Sequence, residues 1–263
     1  MGWDISYHPI SEEQMQTWYF DVLENKAQIA DIASKNGIEE FYQQKYGDTI
    51  NVALETKADD IFEHTHGYYV AVIQGFFEKY FYVRGGALSF AESDVLQKYF
   101  KPWEAIIPEN RFAQKILNHI VANYSSGVYI PKQKVKQLLN DYQNDALIKS
   151  TLDELFSHGR MAVFLKALAY AEGKGLGLLE ATEVVEPNPL DLNSSSCYSN
   201  LYKCDPEGAH LYQETAMAQF AEIEQREGLA EGTIINNAEH VVTHIEPEKP
   251  KEEKGFWSKL FGK

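Results

Sequence analysis

Met15, Trp18, Tyr19, Val22, Leu23, Ile29 and Ile32 recur near the helical period behind Ser11-Glu12-Glu13-Gln14, a capping box. The pattern predicts a helix over residues 12–34, stopped by Asn36-Gly37. Ahead of it, residues 3–10 alternate loosely and reach Pro9, which reads as a short strand or extended arm. Residues 38–46 form a further short helix ended by Gly47. Over residues 68–83, β-branched and aromatic side chains mix with Gly75; helix and strand compete there, and the balance falls to helix. After Pro102 and Pro108, the stripe Phe112, Ile116, Leu117, Ile120, Val121 and Tyr124 predicts a helix over 109–124, closed by Ser125-Ser126-Gly127. Pro131 opens the next helix, with Val135, Leu138, Leu139 and Tyr142 facing inward, and residues 147–156 and 161–171 repeat the pattern. A helix over 209–227 and a strand over 238–245 complete the ordered part.

The predicted class is mainly α with minor β, with α+β as the alternative: an irregular helical bundle with short peripheral strands and a disordered C-terminal tail. Residues 1–245 make one globular, mostly helical domain with sub-boundaries near 102–108 and 173–193. Residues 246–255 hold almost no apolar side chain and read as a flexible charged linker, and 256–263 as a short amphipathic C-terminal motif.

Composition narrows the function. The opening residues MGWDISYHPI lack the basic and apolar regions of a secretory signal, and the most apolar stretch, 67–83, is broken by Gln74, Glu78 and Lys79. No span reaches the roughly 20 apolar residues a bilayer needs, so a soluble, cytoplasmic protein is expected. Cys197 and Cys204 match neither a zinc nor a CxxC spacing, and their scarcity suits a reducing compartment, although a local disulfide stays open. The net charge of −15 is concentrated: residues 178–253 hold 16 acidic and 4 basic side chains, a net of −12. Such a field repels nucleic acid and attracts cationic surfaces, so a basic protein is the expected partner. The 16 Tyr and 14 Phe fit clefts and interfaces, since Tyr buries a ring while keeping a hydroxyl that wants a partner.

Candidate chemistry is thin. In a helix Asp60, Glu63 and His64 would share a face as weak metal candidates, but no HExxH-like spacing supports them and no metal or other cofactor is assigned. Glu239, His240 and His244 read as exposed polar residues. Gly173, Gly175 and Gly177 with Lys174 fit a helix stop better than a phosphate loop. Ser194, Ser195, Ser196 and Cys197 have no assignable base, so no catalytic residue is named.

The tail is more specific. Phe256, Trp257, Leu260 and Phe261 form one face if the segment turns helical, suited to a partner groove, its own domain or a membrane interface. These observations point to a non-enzymatic, bacterial, protein-binding protein: an acidic, immunity-like neutraliser of a cationic partner, or an adaptor. Contact is expected through the tail residues, with Glu222, Glu224 and Glu227 as a second surface. The alternatives are a metal-assisted hydrolase on Asp60, Glu63 and His64, and a structural component of a larger assembly; the oligomeric state is open.

Overall fold

The computed structural model describes residues 3–92, 94–108 and 111–237. The chain divides into two compact units, residues 1–219 and 220–263. The first strand, β1, spans Ile5–Ile10, and the short helices α1 (Glu12–Met15), α2 (Asp21–Glu24) and α3 (Ile29–Lys35) follow it. The long helices α4 (Glu40–Leu54) and α5 (His66–Phe77) lead to strand β2 (Tyr80–Tyr82). Strand β3 (Ser126–Ile130) then opens a run of α6 (Lys132–Asn144), α7 (Ala146–Leu155) and α8 (Arg160–Lys174). Strands β4 (Gly177–Thr182), β5 (Val185–Glu186), β6 (Ser196–Cys197) and β7 (Cys204–Asp205) precede α9 (Pro206–Glu227) and α10 (Thr233–Asn236).

Helix dominates and strand is the minor component, but the strands are not peripheral. Five of them form one mixed sheet in the order β3-β4-β1-β2-β7, with β1 antiparallel to β2 and β4, β3 antiparallel to β4, and β2 parallel to β7. Side chains alternate across it. Ile5, Tyr7, Phe81, Val128, Ile130 and Leu178 join one core with residues of α6, α7 and α8, whereas Ile10, Tyr129, Leu179 and Ala181 join a second core with residues of α4 and α5. Helices thus cover both faces. A strand buried on both faces loses the apolar-polar alternation that identifies strands in sequence, which is why β3 and β4 read as a turn and a glycine-rich stretch.

Two other departures have local causes. The helix expected over 12–34 starts at its capping box, where Ser11 Oγ accepts the Gln14 amide at 3.1 Å. It then widens into a π-turn, Gln16–Phe20, and breaks at Asn25, whose side chain accepts the Ala27 amide. The wider turn buries Trp18, Tyr19 and Phe20 in succession, which a regular helix cannot place on one face. The helix expected over 109–124 is absent among the described residues, which follow an irregular path there. The Glu63 carboxylate accepts the amides of Leu117 and Asn118, removing them from any helical ladder, and Asn118 turns left-handed at φ 60°. By contrast α6, α7, α8 and α9 fall where periodicity puts them, and Gly175 at φ 67° ends α8 as a left-handed cap. Helix α4 runs straight through Gly47 because Tyr46, Ile50 and Ala53 anchor it in the core. The strand expected over 238–245, the linker and the tail motif lie outside the described residues.

Within the second unit, Glu224 is buried, and its carboxylate accepts the amides of Gly232 at 2.9 Å and Ile234 at 2.7 Å. It therefore closes the chain reversal between α9 and α10.

Candidate functional site

A cleft of about 560 Å³ opens beside one end of the sheet. One wall is the outward stripe of α4, where Lys45, Asp48, Thr49 and Val52 recur at helical spacing. The opposite wall is Tyr68, Tyr69 and Val72 from the first turns of α5. Tyr124, just before β3, and Cys197 and Tyr198, at the end of β6, close it.

Three of these tyrosines meet as a corner. The rings of Tyr68 and Tyr124 are 6.0 Å apart at 84°, those of Tyr124 and Tyr198 are 5.5 Å apart at 77°, and those of Tyr68 and Tyr198 are 6.3 Å apart at 72°. Near-perpendicular rings leave faces as well as edges available, and a ring face carries the negative lobe of the quadrupole. Tyr68 is buried and donates its hydroxyl to the Glu183 carbonyl at 3.2 Å, which fixes the floor of the corner. Tyr198 at 49% and Tyr124 at 36% exposure present large rings to solvent.

The backbone holds this arrangement under strain. Tyr124 has φ 58° and Glu183 φ 51°, a conformation that costs a residue with a Cβ about 1–3 kcal/mol. The two face each other across the end of the β3–β4 ladder, where the Thr182 amide donates to the Ser125 carbonyl at 2.8 Å. The Glu183 carboxylate accepts the amides of Tyr124 at 3.3 Å and Asp4 at 3.4 Å, tying the ends of three neighbouring strands together. Because both turns are over-determined by these bonds, the Tyr124 ring is aimed rather than free.

The electrostatics around the corner favour a cation. The Tyr124 hydroxyl donates to Glu186 at 3.3 Å, Asp48 lines the cleft, and Asp4 and Glu183 stand behind Tyr124. Burial raises the carboxyls of Glu183 and Glu186 above the ordinary range, and the negative charge of Asp4 raises both further. The positive groups here are Lys45 in the cleft and Arg84, which is paired with Asp4 at 2.7 Å. Burial pushes the Cys197 thiol up, which disfavours the thiolate, and its Sγ lies 3.3 Å from the Tyr80 hydroxyl. The Cys204 thiol is pushed up to about 12 by burial, and both cysteines are free thiols.

The residues singled out in the sequence are not brought together. Asp60 accepts the Lys57 amide, Glu63 is buried against the 117–118 backbone, and His64 is exposed. They lie in a turn and a 3₁₀ segment, Phe62–His64, so the helical face that would have joined them does not exist. Among the described residues no three His, Cys, Asp or Glu gather so as to hold a metal ion. Ser194 Oγ donates to the Asp191 carboxylate at 2.7 Å and Ser195 Oγ to the Leu192 carbonyl at 2.7 Å, so both hydroxyls are spent on bonds within their own turn. Glu222 and Glu227 are exposed, and Glu227 pairs with Arg226 at 3.0 Å, while Glu224 is occupied within its own unit. Phe256, Trp257, Leu260 and Phe261 lie outside the described residues.

Of the cleft, the sequence showed only the tyrosine abundance and the long polar stretch 193–200 that carries Tyr198. Among the described residues no helix is long and apolar enough to cross a membrane. Compared with protein-family models, curated proteins and solved structures, the chain matches none.

Proposed function

We propose that the protein works by binding a protein partner that inserts a cationic side chain into the tyrosine cleft. The observation that carries this reading is the trio of near-perpendicular rings, Tyr68, Tyr124 and Tyr198, with Glu186 hydrogen-bonded to one of them. An ammonium or guanidinium over a tyrosine face gains about 0.5–1 kcal/mol at an exposed site and more where water is excluded. Carboxylates beside the rings add long-range attraction, and the net charge of −15 extends it over the surface. A basic partner fits both scales. This reading keeps the acidic neutraliser and the adaptor as its two biological forms, and the cleft serves either. It needs no catalytic residue, whereas the hydrolase alternative would rest on Asp60, Glu63 and His64, which do not form a metal-holding group among the described residues.

The test is titration of the full chain with a short basic peptide carrying one central lysine, monitored by calorimetry. Replacing Tyr124 and Tyr198 together by Ala is expected to weaken binding about tenfold, the loss of two cation–π contacts. Replacing the central lysine by norleucine should weaken it similarly, and the two changes together should do little more than either alone. A peptide that binds the double variant as tightly as the native chain, or that does not bind the native chain at all, would remove the cleft from the proposal.

A further inference from the structure

Arg84 also borders a smaller cavity of about 260 Å³, which has the reverse electrostatic character. It lies between the end of β2, the turn before α8 and the first turns of α9. The chain has only four arginines in a background of net charge −15, and two of them, Arg84 and Arg160, line this one cavity beside His158.

The two guanidiniums differ in how they are held. Arg84 donates to Asp4 at 2.7 Å and lies 3.9 Å above the Tyr212 ring, so its plane is fixed and its charge is largely balanced. Arg160 donates through Nε to the Ser157 carbonyl at 2.7 Å, through Nη2 to Ser157 Oγ at 2.9 Å and through Nη1 to the Arg84 carbonyl at 2.8 Å. All three acceptors are neutral, and among the described residues no carboxylate pairs with Arg160. A half-buried cation normally has a counter-charge, because desolvation without one is costly. Burial does lower the Arg160 guanidinium from its usual value. The remaining N–H groups of a fork fixed at three points are preorganised for a carboxylate or phosphate.

The amides in the first turn of α8 are already bonded to local carbonyls, Met161 to Phe156 at 2.9 Å and Ala162 to Gly159 at 3.3 Å. The side chains therefore carry the site, not the helix end. Leu211 and Val163 supply an apolar wall, so the ligand has an apolar body as well as an anionic head. The volume is just below the roughly 300 Å³ at which ligand pockets begin, which sets a small ligand.

We infer that this cavity binds a small organic anion, a carboxylate or phosphate monoester on a compact apolar or aromatic body, with Arg160 as the principal contact. The inference rests on Arg160, which has no part in the tyrosine cleft, and it stands or falls independently of that cleft. Phenyl phosphate, benzoate, inorganic phosphate and neutral benzyl alcohol serve as probes in calorimetric titrations of the full chain. One saturable site is expected for phenyl phosphate or benzoate, whichever head group the fork prefers, with inorganic phosphate weaker and benzyl alcohol silent. Arg160→Gln should weaken the better probe at least tenfold. Because Arg160 also braces the Arg84 and Ser157 backbone, Thr215→Trp, which fills the cavity from an exposed position, provides a second variant with the charges intact and should block the same probe. Absence of saturable binding by both aromatic anions, or undiminished binding by Thr215→Trp, would overturn the assignment.

Discussion

Below pH 6.5 the protein is expected to lose stability steeply, because two buried histidines are locked in the neutral form. His8 and His66 are buried, and burial is the main cause that lowers both to about 4. The hydrogen bonds require neutrality on their own account. Gln74 Nε2 donates to the carbonyls of Pro9 and Lys79, so Gln74 Oε1 can only accept from His8 Nδ1, leaving Nε2 to accept the Ser6 hydroxyl. Thr56 donates its hydroxyl to the Ala53 carbonyl, so its oxygen accepts from His66 Nε2 and the Tyr19 hydroxyl donates to Nδ1.

The sign follows from proton counting. Between pH 6.5 and about 4 the unfolded chain protonates both rings while the folded chain does not, so stability falls as pH falls through this window. At ~1.4 kcal/mol per unit, each ring accounts for about 3 kcal/mol by pH 4, together a large part of a typical ~5–15 kcal/mol. Buried or half-buried carboxyls, Asp4, Glu63 and Glu183 among them, are raised by desolvation and take protons more readily when folded, which offsets part of the loss near pH 4. The decisive measurement is therefore a difference: in urea titrations at pH 6.5, 5.5 and 4.5, His8→Asn with His66→Asn should flatten the pH dependence by nearly two protons. Ring resonances of His8 and His66 that titrate near pH 6.5 in the folded protein would refute the argument directly.

Glu180→Ala is expected to be the most damaging single substitution on the sheet, costing about 3–5 kcal/mol. Glu180 is fully buried on β4 and accepts the Tyr7 hydroxyl at 2.9 Å, the Leu88 amide, the Ser89 amide and hydroxyl, and more distantly the Val128 amide. These donors come from β1, from the loop after β2 and from β3, so one carboxylate joins three segments. Burial pushes its carboxyl up and the donors pull it back, and the Leu88 and Ser89 amides can only donate to it. Alanine would leave the donors unpaired in an apolar core, and glutamine would set its amide against them, at about 2–3 kcal/mol. Urea midpoints of both variants beside Glu154→Gln, an exposed control expected within about 0.5 kcal/mol, test this. A loss below about 1 kcal/mol for Glu180→Ala would mean that the loop is held by other means.

These two sites show what was and was not legible in the sequence. The helices with one dry face, α6, α7, α8 and α9, were readable because their periodicity records burial on one side only. Of the sheet only β1 was, as the strand or arm read over residues 3–10; β4 carries Glu180 at a wholly buried position, and β1 itself buries Ser6 and His8. A polar residue whose partner lies far along the chain, as Gln74 does from His8 and Tyr7 from Glu180, looks like surface to any local pattern. The cleft was hidden for the same reason: Tyr68, Tyr124 and Tyr198 are remote in sequence and converge only through sheet and helix packing. Asp60, Glu63 and His64 show the converse, where closeness in sequence implied a shared face and a 3₁₀ turn denied it.

The position of β1 in the sheet has a further consequence, for the ribosome. Its Tyr7 lies opposite Glu180, 173 residues later, and its other neighbour is β2. At roughly 5–20 residues per second, translation leaves β1 without its main partner for on the order of ten seconds or more. Throughout that interval β1 waits in the nascent chain with the edge that β4 will cover still open, while α6, α7 and α8 emerge before the sheet they cover is complete. Synthesis should therefore be the stage at which this protein depends most on chaperones, and truncations that stop before β4 should aggregate.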